Sequence, residues 1–180
     1  MTDPVPIAPR RFDIEEYLAM AGAGILAPDE RVELLDGHVV LMSPSGSRHS
    51  YLVTTLARAL IRHAPETLSV RVQEPLNLSK HSQPEPDLAV VHSGPGRHWS
   101  THPDASDAVL VVEVAETSLE QDLAVKVPLY LAAGIPEVWV VDVVSRSARV
   151  WFGGSERRPD SLTSAALPGL HLAVASLFPE

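Results

Sequence analysis

A chain of 180 residues, 45% hydrophobic and 21% charged, has the length and apolar content of one globular domain with a substantial core. Its formal net charge of −9 argues against a general nucleic-acid coating protein, whose affinity comes from a basic surface neutralising phosphates. The absence of cysteine excludes disulfides and thiolate metal sites. No apolar run is long enough to span a bilayer and the start lacks a signal-peptide layout, so a cytoplasmic protein with no membrane contact is the expectation.

Residues 1–11 are proline-rich and read as a flexible arm, with residues 12–180 as a single domain. Asp13 can cap a helix running to about Ala23, with Phe12 as a hydrophobic staple. Arg31 to Met42 reads as two short strands around Asp36-Gly37, a strong hairpin signal. Pro44-Ser45-Gly46 breaks the chain, and Leu52, Leu56, Leu60 and Ala64 then mark one face of a helix beginning at Ser47 and ending near His63. Val70, Val72, Leu76 and Leu78 alternate as in a half-buried strand. Apolar runs at 87–92 and 108–115 flank a loop at 93–107. A helix follows, with Ser118-x-x-Gln121 as its capping box and Gly134 as its stop. Pro128 falls inside this helix and should kink it. Strands at 137–143 and 148–152 come next, and Leu170 to Leu177 reads as a last strand or a short helix. Interleaved strands and helices place the chain in the α/β class, with mixed α+β character.

The chemistry centres on Lys126, one of two lysines against twelve arginines. At helical spacing it shares an apolar stripe with Leu119, Leu123, Tyr130 and Ala133. A lysine drawn toward a core needs an anionic partner or a task. Glu113 interrupts an apolar strand, where an unpaired carboxylate is costly. Asp87 opens another strand. If those strands are neighbours, the two carboxylates can flank one Mg²⁺ ion, with Lys126 orienting a water or stabilising developing charge. Glu33, in the apolar run Val32-Glu33-Leu34-Leu35, is a third candidate, either as a supporting acid or as a partner of Arg31.

Simpler readings stand beside these. Asp122 and Lys126, four apart, also fit a surface ion pair. His49 reads slightly better as a capping or packing residue than as a site residue. His81, His92, His98 and His102 read as loop histidines in solvent. Asp142 reads as a strand end that organises its turn. If nucleic acid is bound, Arg48, Arg58, Arg62 and Arg71 are the candidates for a basic patch.

The run Arg31-Val32-Glu33-Leu34-Leu35-Asp36-Gly37 and Met42-Ser43-Pro44 with His49 resemble the Uma2 (DUF820) family. So do Pro86-Asp87-Leu88, Val111-Val112-Glu113-Val114, Asp122-x-x-x-Lys126 and Gly134-Ile135-Pro136-Glu137-Val138-Trp139. The resemblance covers about residues 12 to 152 and implies a restriction-endonuclease-like, PD-(D/E)XK fold: a central mixed β-sheet flanked by helices. It implies a DNA-cleaving site using Mg²⁺ (or Mn²⁺). Asp87 matches the motif aspartate and Glu113 the second acid, and Asp87, Glu113 and Val114 form the implied metal set. The usual lysine two residues after the acid is replaced by Ala115, and Lys126 matches the lysine the family draws from the following helix. Glu33 matches an early acidic residue. Ala115-Glu116-Thr117-Ser118 departs from the family's Ser-Pro-Ser-Thr-like turn. A homodimer is compatible with cutting two strands. A non-catalytic module keeping the nuclease fold, or a hydrolase of RNA or small phosphodiesters, remain the alternatives.

Overall fold

The structure is a computed structural model that describes residues 9–179. Residues 1–8 of the expected arm lie outside the described residues. From Arg11 onward the chain is tied down: its guanidinium contacts Asp36, and the Phe12 amide donates to the Gly37 carbonyl at 2.9 Å.

Helix α1 spans Ile14–Gly22. Its capping box is complete, with Asp13 accepting from the Glu16 amide at 2.9 Å and Glu16 accepting from the Asp13 amide at 3.1 Å. Strands β1 (Val32–Leu35) and β2 (His38–Leu41) form the expected antiparallel hairpin. Its two turn residues, Asp36 and Gly37, both have positive φ (48° and 80°), the requirement of the turn that matches strand twist. Gly37 is doubly constrained, since a Cβ there would lie 2.5 Å from the Arg11 Cβ.

Helix α2 spans Ser47–His63 and buries Leu52, Leu56 and Leu60. A six-stranded sheet follows in the spatial order β3-β4-β5-β6-β7-β8. Its members are β3 (Leu68–Val72), β4 (Leu88–His92), β5 (Ala108–Ala115), β6 (Glu137–Asp142), β7 (Ser147–Phe152) and β8 (Ser155–Arg157). Only β5 and β6 are parallel, joined by a helical crossover; the other pairs are antiparallel. A hairpin of β9 (Ser161–Ser164) and β10 (Leu167–Ala173) and a short 3₁₀ turn at Val174–Leu177 close the chain, so the final segment is both strand and helical turn.

Strand alternation divides the core between the two sheet faces. Leu88, Val90, Val112, Val114 and Trp139 pack with α2 and the C-terminal hairpin. Ala89, Val91, Val111, Ala115 and Val140 pack with the crossover helices. Asp87 and Glu113 fall by alternation on this second face, which is where the crossover carries Lys126.

Two expected elements differ. The strand expected to reach Leu78 ends at Val72, because Gln73 turns to φ 51° and Pro75 cannot donate to a ladder. Residues 73–87 instead fold back onto the β1–β2 hairpin, where Gln83 and Leu34 exchange backbone hydrogen bonds. The crossover is not one kinked helix. It consists of α3 (Leu119–Gln121), a π-helical turn at Asp122–Lys126 and α4 (Val127–Ala132). Pro128 has no N–H, and its ring would collide with the residue-124 carbonyl of a continuous α-helix. The wider turn just before it, closed by the Val127 amide on the Asp122 carbonyl, removes that conflict, and such turns recur at functional sites. Among the described residues no helix is long and apolar enough to cross a membrane.

Candidate active site

The hydrogen-bond register brings the site together. Leu88 pairs with Val112 across β4 and β5, so Asp87 and Glu113 lie opposite each other one step further on. The Asp87 amide donates to Glu113 Oε2 at 3.4 Å, and the Val114 amide donates to Asp87 Oδ2 at 2.8 Å. The hairpin β1–β2 delivers Glu33 from outside the sheet. The π-helical turn delivers Lys126, which is only 6% exposed. Its ammonium lies 3.1 Å from Glu33 Oε2 and 3.2 Å from Glu113 Oε1. Tyr130, one turn further along, donates its hydroxyl to Glu113 Oε1 at 2.6 Å. Asp87, Glu113, Lys126 and Glu33 thus converge, with Val114 adjacent.

Several contributors were either set second or not identified in the sequence. His49, near the start of α2, places Nε2 at 3.0 Å from both Asp87 carboxylate oxygens, which overturns its reading as a capping or packing residue. Gln73, in its left-handed conformation, donates its amide to Asp87 Oδ1 at 3.1 Å. No sequence signal marked it, whereas Tyr130 lay on the Lys126 stripe four residues on. Asp122 is buried, not half of a surface pair. It accepts from the Ser118 hydroxyl at 2.6 Å. Ser118 therefore forms no capping box, and its backbone is already in the helical region rather than the extended one a cap requires. His81 binds the Phe12 carbonyl through Nδ1 at 2.8 Å, so it is a structural tie, not a solvated loop histidine. Asp142 behaves as expected, accepting from the Val144 and Ser145 amides and the Ser145 hydroxyl. The four arginines form no single patch. Arg58 and Arg62 lie about 15 Å or more along α2 from Arg48, and Arg71, on β3, pairs with Glu74 beyond the strand's end.

The electrostatics follow from burial. Burial pushes the Glu113 carboxyl up to about 8, helped by Asp122 and Asp87 and opposed by Lys126. Burial alone would favour a neutral Lys126, but Glu113, Glu33 and Asp122 outweigh it and hold the lysine above its ordinary range. The hydrogen bond to Asp87 raises His49 against the opposing effect of burial.

The cleft above these groups has a volume of about 50 Å³, room for a few waters or a hydrated ion. Glu33, Glu85, Asp87, Glu113, Glu116 and Asp122 line it against two permanent cations, Arg31 and Lys126. That excess of hard anionic oxygen suits a divalent cation. Among the described residues no three His or carboxylate side chains form a ready-made cage. A fit with one or two carboxylates plus water remains, the usual manner of Mg²⁺.

A search of curated proteins gives no match. Among solved structures, a protein described as "a putative nuclease belonging to DUF820" from Anabaena variabilis superimposes with a TM-score of 0.77 at 15% identity, covering 93% of this chain and 97% of that one. It establishes the shared fold. The model of the Uma2 family, described as "Putative restriction endonuclease", matches residues 14–175. The chain therefore belongs to the Uma2 family.

Proposed function

We propose that this cleft is the active site of a metal-dependent endodeoxyribonuclease acting in the cytoplasm. The observation that carries the reading is the buried Lys126 ammonium, held between Glu33 and Glu113 in the lining of a strongly acidic cleft. Its two carboxylate partners lie beside a third carboxylate, Asp87, whose amide donates to Glu113.

Asp87 and Glu113, with the adjoining Val114, would hold Mg²⁺ or Mn²⁺. When bound, such an ion lowers the pKa of a coordinated water and offsets charge on the phosphate. The protein's own groups supply the rest. His49, Gln73 and the Val114 amide fix the Asp87 carboxylate. Tyr130 fixes Glu113 through Oε1. Lys126, kept protonated by its neighbours, orients the attacking water and donates to the oxygen on which negative charge grows. Glu33 supports Lys126 from the side away from the sheet, and itself accepts from the Glu85 amide at 3.2 Å.

The test is nicking of supercoiled plasmid with Mg²⁺ or Mn²⁺ by the native protein, Glu113→Ala and Lys126→Ala, with an EDTA control. Metal-dependent nicking lost in both variants supports the reading. Equal nicking by native protein and variants, or by the EDTA control, refutes it.

A further inference from the structure

The first turns of α2 separate two cavities of opposite character. His49 points to Asp87 in the acidic cleft, while Arg48 and Tyr51, on the neighbouring helix face, line a second cavity of about 270 Å³. Leu52, Val143 and Phe178 give this cavity an apolar lining, and Arg146 lines it together with Arg48. The described lining residues include no carboxylate, in a chain whose net charge is −9. Arg48 also joins the two cavities: its Nε donates to Glu116 Oε1 at 2.9 Å, and Glu116 lines the catalytic cleft.

The second cavity combines what one nucleotide needs. Tyr51, 50% exposed, offers an aromatic face without a hydrogen-bond constraint among the described residues, and arginine is suited to a phosphodiester. Arg146 is positioned by the β6–β7 turn, where it adopts φ 53° next to the turn that Asp142 organises. The volume lies just below the usual range for small-ligand pockets, too small for a duplex. An apolar and aromatic lining accepts the face of a base only when that base is out of its helix, and such stacking tolerates any sequence.

We propose that the Arg48–Tyr51–Arg146 cavity is a subsite for one unpaired nucleotide of the substrate strand, next to the scissile phosphate. This rests on the nuclease reading for its position in the reaction. The substrate class it selects is a single strand or a frayed or displaced end.

The test measures binding of a short single-stranded oligonucleotide carrying 2-aminopurine, and of its fully paired blunt duplex, to the full chain in Ca²⁺. Stacking quenches the fluorophore. The expected result is quenching with the single strand and weaker binding of the duplex. Tyr51→Ala should weaken single-strand binding on the order of tenfold, while Tyr51→Phe should stay near the native value. Arg146→Ala should weaken binding and lower the salt slope by about one, and Arg62→Ala, at the far end of the same helix, should change little. Native-like binding by both Tyr51→Ala and Arg146→Ala, or equal binding of duplex and single strand, overturns the subsite. Tyr51-dependent binding with no metal-dependent cleavage of either the plasmid or the single-stranded oligonucleotide would keep the subsite and remove the nuclease reading, so the two fail separately.

Discussion

Replacing Lys126 by Met removes the ammonium and keeps most of the side-chain volume. Glu33 and Glu113, within 3.2 Å of the native ammonium, then lose their shared counter-ion in a dry site, with Asp122 buried nearby. Removing one partner of a buried ion pair costs about 3–5 kcal/mol, because the remaining charge is left uncompensated. For a domain of this length that corresponds to a fall in Tm of roughly 6–20 °C. The loss has a pH signature. The variant's carboxylates can relieve the strain by taking up protons, so its deficit should be largest near pH 8 and shrink toward pH 5. Adding Glu33→Gln to Lys126→Met should recover part of the stability at pH 8 by removing one of the stranded charges. Thermal melts of the three proteins at both pH values, in EDTA, measure this. A Lys126→Met protein that melts within about 2 °C of the native protein at pH 8, with no dependence on pH, would refute Lys126 as the buried counter-ion.

Glu113 carries a second prediction. Its folded pKa of about 8 lies above the ordinary 4.5, so between those values the folded state holds a proton that the unfolded state has lost. Its contribution is fully present below pH 4.5 and fades as pH rises through 8, by at most about 1.4 kcal/mol per pH unit. Denaturant titrations in EDTA should show a shallower pH slope for Glu113→Gln; an unchanged slope would assign it to other groups. Asp142→Ala removes three hydrogen bonds in the β6–β7 turn. It should cost about 1–3 kcal/mol in a urea titration and also weaken single-strand binding, because Arg146 loses its support. Gly37→Ala forces a Cβ onto Arg11 at a φ of +80° and should lower Tm measurably, whereas Gly22→Ala, which meets nothing within 4 Å, should not.

Local elements were legible where one residue or one period decides them. Asp13 predicted the cap of α1, Asp36-Gly37 the hairpin turn, the Leu52-Leu56-Leu60 spacing α2, and Asp142 its turn. Each depends on contacts within a few positions, so the sequence carries the whole signal. Lys126 on an apolar stripe and Glu113 inside an apolar strand also announced themselves, because a charge out of place must be compensated. What lay beyond reach were contacts made by residues with no local reason to be unusual. His49 looked like an ordinary helix-start histidine until the packing of α2 set it against Asp87. Gln73 looked like part of a strand until its left-handed turn aimed it at the same carboxylate. Asp122 and Ser118 fitted a surface pair and a cap until the π-helical turn demanded by Pro128 moved both. The sequence by itself thus determined the locally encoded elements, the family and the charges that needed partners. Only the tertiary structure decided which partners they received, since strand register and helix packing join groups far apart in the chain through burial and hydrogen bonds that no local pattern encodes.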